Sequence, residues 1–600
     1  MPGVIAASAR VENLQTILAY IRPYFKRMAG GLAIKFSGTV MDLLLPWILA
    51  YMIDHVAPQG RIVPIFLWGG LMAVCSLFAF AGNVTANRMA SAVAGDITRV
   101  IRRDLFKKVF RLSCAQIDRI SIPSLVARLS SDTYNIHRML SSMQRIGIRA
   151  PILLLGGILI SLTLEPVLTL VLTAILPFTF GVIALVSRKG TALYTGLQNA
   201  VDAVVRIVRE NATGIRIIKA LSKTDYEKQR FARANNEMTS RELKANIIMG
   251  ISNPAMFLFI NLGLVAVIIT GAYRVNAGRT QPGTILAFLT YFTIILNATL
   301  SITRMFVMYS RGSASGARIA EVLALPDDLV LKERAHEDSP YYIRFENVGF
   351  TYPVWGDVKP APRTETAASG VAPLLSGISF ALKRGETLGI LGETGCGKSA
   401  VIQLLLRFYD ADSGRIWIDG DDIRGIPADE LYRKFGVVFQ RDTLFADTVR
   451  ENIAFGRALS EEDLRRAVRY AQAEEFTAHL ENGLDYNLSA RGTNLSGGQR
   501  QRILIARAVA AGPEILILDD SSSALDYQTD ADLRLALDRH FRGTTKIIVA
   551  QRISSIIHAD HILVLERGRM LGYGTHTELL RGCPLYREIS ESQMGGRYVR

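Results

Sequence analysis

Apolar residues gather in six runs, near 33–53, 62–87, 148–165, 166–187, 247–272 and 283–307, each long enough to cross a hydrocarbon core as a helix. The stretches between the second and third runs and between the fourth and fifth, roughly 88–147 and 188–246, are polar, long and helical in spacing. Their matching lengths predict two equivalent helical hairpins reaching out of the bilayer, with short helices at the tips near Leu112–Asp118 and Thr224–Gln229. Ahead of the first run, Val11 to Met28 has the pattern of an amphipathic helix lying on the membrane, with Arg22, Lys26 and Arg27 toward headgroups. After Val307 the hydropathy falls, and from Tyr342 short β-rich runs alternate with helices. The expected layout is an α-helical membrane domain of six spans over 1–311, a linker over 312–342 and an α/β domain over 343–600. A Pro-, Ala- and Thr-rich stretch, 354–374, reads as a surface loop interrupting the first strands.

Composition agrees with a chain in two parts: 49% of the 600 residues are hydrophobic. The net charge of +15 does not point to nucleic acid, because the basic residues lie between apolar runs, where they meet anionic lipid headgroups. Arg99, Arg102, Arg103, Lys107, Lys108, Arg206, Arg209, Arg216 and Lys219 fall in the long connections, whereas the short ones hold chiefly Arg61, Arg274 and Arg279. That bias places both long loops and both termini in the cytoplasm, with the chain in the cell (plasma or inner) membrane. The opening residues lack a basic segment followed by a long apolar core, so no cleaved signal peptide is expected. Cys75, Cys114, Cys396 and Cys583 have neither disulfide nor zinc spacing.

Inside the runs, Asp42 and Arg304 are candidates to line a cavity, since an ionisable group in hydrocarbon needs a partner or water. Asn261 and Asn297 are expected to bond a neighbouring helix rather than to line a path. Phe36, Trp47, Phe257, Phe259, Phe288 and Tyr291 suit either apolar cargo or plain packing.

The chemistry lies in the second half. Gly392, Glu393, Thr394, Gly395, Cys396, Gly397, Lys398 and Ser399, followed by Ala400, form a P-loop between an apolar strand and a helix. Small residues let backbone N–H groups curl around phosphates at a helix N-terminus, while the Lys reaches the terminal phosphates and the Ser holds Mg2+. The helix dipole at Cys396 is expected to lower that thiol's pKa. About a hundred residues on, the Gly-rich Leu495, Ser496, Gly497, Gly498 and Gln499 precede a helix expected near Arg500, and an apolar strand ends in Asp519 and Asp520.

In this order and spacing the motifs give the chain, over nearly its whole length, a resemblance to ATP-binding cassette (ABC) exporter half-transporters. That resemblance implies the exporter membrane fold fused to a P-loop nucleotide-binding domain, with ATP and Mg2+ as cofactors and hydrolysis coupled to transport. It makes Tyr352 the aromatic that stacks on adenine, Gln440 the loop residue touching magnesium, and Asp519, with Ser399, a magnesium ligand. Leu495–Gln499 become the signature that meets ATP held by a second subunit, and Ser523, Ala524, Leu525 and Asp526 the loop crossing the dimer contact.

Two positions depart from the family. Asp520 stands where a catalytic Glu is usual, its carboxylate drawn back by about 1.5 Å, and Gln551 stands where the switch His is usual. Gln bonds a phosphate oxygen but lacks an imidazole's titratable nitrogen. The expectation is strong ATP binding with weak hydrolysis at this chain's own P-loop. Its intact signature would then complete the competent site of a heterodimeric partner that carries Glu and His. A slow homodimeric lipid or drug flippase and an ATP-gated regulator or channel are the alternatives. The cargo stays open between small molecule, lipid and peptide.

Overall fold

The computed structural model describes residues 16–327, 329–353, 373–521 and 524–594, so residues 11–15 of the surface helix, most of the 354–374 loop and Ser523 lie outside the described residues. The chain forms two compact units, Met1–Val109 with Leu125–Ala324, and Phe110–Ser124 with Leu325–Arg600. The connector around the first hairpin tip therefore belongs to the second unit.

The first unit is helical: α1 (Phe25–Tyr51), α2 (Ile62–Val109), α3 (Thr133–Leu164), α4 (Pro166–Ala220), α5 (Thr224–Gly250), α6 (Ser252–Asn276) and α7 (Pro282–Leu323). Among the described residues, five helical stretches are long and apolar enough to cross a membrane: Thr16–Gln59, Ile62–Val109, Ile122–Leu164, Thr224–Asn276 and Pro282–Leu323. The sixth expected crossing, 166–187, opens α4, which runs unbroken from Pro166 to Ala220, and its described apolar stretch is Pro166–Thr179. Of the expected surface helix, residues 16–21 are helical and join α1 through the tight turn Arg22–Tyr24, in which Pro23 sits.

Close helix contacts follow the small residues. A Cβ on Gly38 would meet the Ala79 carbonyl and the Asn83 amide nitrogen at 3.4 Å, so α1 and α2 cross where Gly38 faces Gly82. Tyr291 and Phe288 are wholly buried, and the Tyr291 hydroxyl donates to the Leu43 carbonyl at 2.7 Å; these rings pack the bundle, whereas Phe36 and Phe257 are exposed. Asn261 and Asn297 correct the expectation of interhelical bonds: each donates to its own helix, to Phe257 and Thr293, four residues back. At the second tip the short helix is absent as a separate element. Asp225 and Glu227 favour a helix N-terminus there, and the helix begun at Thr224 runs on to Gly250.

The second unit is α/β. One sheet, in the order β2 (Leu375–Leu382), β1 (Ile343–Phe350), β4 (Ser413–Ile418), β5 (Asp421–Asp422), is antiparallel. The other runs β10 (Arg569–Gly574), β9 (His561–Glu566), β3 (Thr387–Gly392), β8 (Thr545–Val549), β7 (Ile515–Asp519), β6 (Phe435–Val438), and it is parallel from β9 to β6. All five residues of β7 are buried, as a central parallel strand of near-continuous Ile and Leu requires. Its carboxyl end, together with those of β3, β6 and β8, places the loops that form the site. The first tip folds as the helix Cys114–Ile120, with Ser113 and Gln116 bonding each other's backbone N–H in a capping box. Within this unit the Tyr409 hydroxyl donates to Asp118 at 2.5 Å.

In the first unit the Asp132 carboxylate, 3% exposed, accepts from Ser315 Oγ at 2.9 Å and from two N–H groups on one edge of the Arg318 guanidinium, Nη2 and Nε, the latter at 2.9 Å. Arg318→Ala leaves that buried carboxylate with one neutral donor. The expected loss is about 2 kcal/mol, below the roughly 3–5 kcal/mol for a fully buried pair because Arg318 is half exposed. Thermal unfolding of the full chain should show it, and Arg318→Lys should recover only part, since one ammonium cannot reproduce the fork. An unchanged midpoint would mean the pair contributes nothing to stability.

Candidate functional site

A pocket of about 320 Å³ lies at the carboxyl ends of β3, β6, β7 and β8. From the P-loop it takes Thr394, Gly395, Gly397, Lys398, Ser399 and Ala400, and around them Tyr352, Leu374, Gln440, Asp519, Asp520, Val549 and Gln551. Gly397 caps α8 (Lys398–Leu405) at a φ of 106°, and a Cβ there would come within 2.5 Å of Leu375, so only glycine fits this step from loop to helix. The Lys398 ammonium donates to the carbonyls of Gly392 at 2.7 Å and Glu393 at 2.8 Å, which holds it across the loop. Gly392, Glu393 and Cys396 do not face the pocket.

Cys396 corrects an expectation. Its side chain is buried beneath the loop, and burial pushes the thiol's pKa up, outweighing the lowering by Lys398 and by backbone N–H bonds.

Ser399 Oγ donates to Asp519 Oδ2 at 3.4 Å. Burial, and then the neighbouring Asp520, push the Asp519 carboxyl up, against Ser399 and Lys398, which lower it. The Asp519 carboxylate beside the Ser399 hydroxyl, with Gln440 lining the same pocket, fits a hard cation that would bring its remaining ligands as water and phosphate oxygen. Among the described residues no cluster of three or more His, Cys, Asp or Glu forms a self-sufficient metal cage.

Asp520 is turned by a left-handed backbone, φ 50°, which Asp tolerates better than most residues. Its amide donates to the Val549 carbonyl at 3.0 Å, tying the ends of β7 and β8 together. One oxygen, Oδ2, then accepts the amide of Gln551 at 3.0 Å and that of Gln440 at 3.4 Å. Gln440 and Gln551 thus meet on one oxygen of Asp520.

Tyr352 lines the pocket half-buried, edge-on to Phe350 and Tyr409, with its hydroxyl bonded to Gln403; burial raises its pKa. Gln403, one turn after Ser399 on α8, went unnoticed in the sequence, although the i, i+4 spacing from a P-loop residue was a usable signal. Gln593, near the chain's end, carried no such signal. Its amide donates to the Gln551 carbonyl at 2.9 Å and its oxygen accepts from Ile553 N at 2.8 Å, pinning the segment that presents Gln551.

The signature stands apart, since none of Leu495–Gln499 lines the pocket. Helix α9 begins at Gly497, earlier than expected, and runs to Val509, with Ser496 as its cap in a reciprocal box with Gln499. Ser496 Oγ accepts the Gln499 N–H, so its own hydroxyl proton stays free to donate outward from an exposed helix N-terminus. The Ala524 carbonyl would lie 3.1 Å from a Cβ on Gly498, which packs the following loop against the signature. Asp526 caps α10 (Tyr527–His540) through Thr529, and these bonds hold its pKa low.

Comparison with known proteins fits this geometry. Residues 28–299 match the ABC transporter transmembrane region and residues 375–523 the ABC transporter domain. The ABC transporter ATP-binding protein YfiB of Bacillus subtilis is 34% identical over 583 residues, covering 97% of this chain and 99% of that protein. An ATP-dependent lipid A-core flippase of Syntrophus aciditrophicus is 28% identical over 597 residues, covering 99% and 96%. A solved bacterial Atm1-family ABC exporter with ATP bound superposes with a TM-score of 0.79 at 25% identity, over 96% of this chain and 99% of that one. With its membrane domain fused ahead of its ATPase domain, the chain belongs to the ABC transporter family as an exporter that couples ATP hydrolysis to transport.

Proposed function

We propose that this chain is the weakly hydrolysing half of a heterodimeric exporter for hydrophobic or amphipathic compounds. The observation that carries the reading is the Asp520 carboxylate, short by one methylene and already accepting two glutamine amides on one oxygen. A group that is to take a proton from water in a phosphoryl transfer must reach that water with a free lone pair, and here distance and prior hydrogen bonds both oppose it.

The remaining residues suit binding. The P-loop amides and Lys398 receive the phosphates, Tyr352 offers a ring to the base, and Ser399 with Asp519, flanked by Gln440, would hold Mg2+. When bound, the ion supplies charge neutralisation between the β- and γ-phosphates. Gln551 holds a γ-phosphate oxygen by hydrogen bonding without exchanging a proton. Ser496 and the N–H groups of Gly497 and Gly498 face outward to complete a site whose P-loop lies on the partner, and that partner supplies the Glu and His absent here. The basic long connections support a cytoplasmic ATPase domain and termini.

Purified alone, the chain is expected to bind ATP and turn it over slowly. Asp520→Glu with Gln551→His should raise its ATPase rate by about 10²-fold or more, the lower end of what a positioned base contributes. Asp520→Glu alone should gain far less, because Gln551 still donates to the carboxylate. Rapid phosphate release by the unaltered chain would overturn the reading.

In the assembled pair, Ser496→Arg is expected to abolish most turnover by blocking the competent site, while Lys398→Met in this chain should leave most of it. Equal losses from the two substitutions would mean two equivalent sites.

A further inference from the structure

A cavity of about 430 Å³ opens between α1, α2, α3 and α7, wholly inside the first unit. Its ionisable walls are Lys35 and Asp42, seven residues apart on one face of α1, and Arg145 and Arg149, four apart on one face of α3. Three cations therefore confront one carboxylate. Asp42 is already engaged, accepting from Arg149 and from Asn83, each at 3.1 Å. Lys35, 2% exposed, donates at 3.0 Å to the neutral amide of Asn87. Among the described residues no carboxylate lies within ion-pair distance of Lys35 or Arg145. Asp42 neutralises Arg149, which leaves the buried Lys35 ammonium and the exposed Arg145 guanidinium as cavity-lining cations without an ion pair; an unpaired buried ammonium is costly, and it persists where an anion is to be received. Arg304, exposed and seven residues beyond Asn297 on α7, extends the same face with a further positive charge. Ile146, Leu153 and Ile294 complete the wall with hydrocarbon.

We propose that this cavity receives the anionic group, phosphate or carboxylate in class, of an amphipathic substrate, with Lys35, Arg145 and Arg149 as its counter-charges and the apolar wall against its chain. Guanidinium forks and ammonium groups match such oxyanions, and the same field repels organic cations. The inference rests on the exporter reading and narrows its cargo to anions.

The test uses the full-length protein in phosphatidylcholine nanodiscs without nucleotide. Binding of radiolabelled dodecyl phosphate is measured against empty discs and competed with unlabelled dodecyl phosphate, butyl phosphate or dodecyltrimethylammonium. Saturable binding displaced by the phosphates and not by the ammonium is expected, and Arg145→Gln and Lys35→Gln should each weaken it about tenfold or more. Equal displacement by butyl phosphate assigns the anion to a soluble substrate, and dependence on the dodecyl chain assigns it to a lipid; both uphold an anion site. Displacement by the ammonium as effective as that by dodecyl phosphate, or unchanged affinity in Arg145→Gln, overturns it. Should Lys35→Gln fail to fold, the wild-type competition and Arg145→Gln still decide. No ATP and no partner chain enter this measurement, so its failure leaves the proposed division of hydrolytic labour untouched, and failure of that division leaves the anion preference standing.

Discussion

Two carboxylates end one buried strand, and the site is arranged around keeping them apart. Strand β7 is hydrogen-bonded on both sides, to β6 and β8, so its last residues have no freedom to drift. Asp519 stays in register opposite Val549 and points to Ser399, while the left-handed backbone at Asp520 turns the next side chain toward Gln440 and Gln551. Charge separation is achieved by backbone geometry and then secured by amide donors. P-loop, glutamine loop and switch segment meet at this strand end because parallel strands deliver all their following loops to the same edge.

The motifs were legible because each is a local solution to a backbone problem. Gly397 is fixed by a conformation and a contact that exclude a side chain, and Ser496 with Gln499 by a reciprocal cap. Such constraints act over a few residues and leave a readable string. What stayed hidden depends on residues far apart in sequence: the two amides on Asp520 come from positions 80 and 31 residues away, and Gln593 reaches back 42 residues to the Gln551 carbonyl. Cys396 shows the same limit in another form. Sequence places it at a helix N-terminus, but only the fold shows that its side chain is buried, which pushes the thiol's pKa up.

In the membrane unit hydropathy measures length and misses partners. Runs of apolar residues located the long helices, yet whether an asparagine bonds its own helix or a neighbour, or whether Phe288 lines a path or fills the core, depends on rotation about the helix axis. Helices α1 and α2 settle that rotation through Gly38 and Gly82, whose missing side chains let the two backbones approach and carry Lys35, Asp42, Asn83 and Asn87 to one side. The polar cluster is thus a consequence of a glycine crossing as much as of its own charges.

The signature and the P-loop pocket occupy one ATPase domain without meeting, and this fixes what the domain can do by itself. A γ-phosphate seated at Lys398 finds no Ser496 within its own pocket wall, because α9 directs its N-terminus elsewhere. The capping box holds that terminus rigid: Gln499 secures the Ser496 backbone N–H while Ser496 secures that of Gln499, so the free hydroxyl proton and the exposed first turn are preorganised before any phosphate arrives. Ordering them would cost nothing further when a phosphate met them, and more of the interaction energy would remain for holding it. A helix N-terminus kept in that state and turned away from its own pocket would suit an anion that this pocket does not itself present.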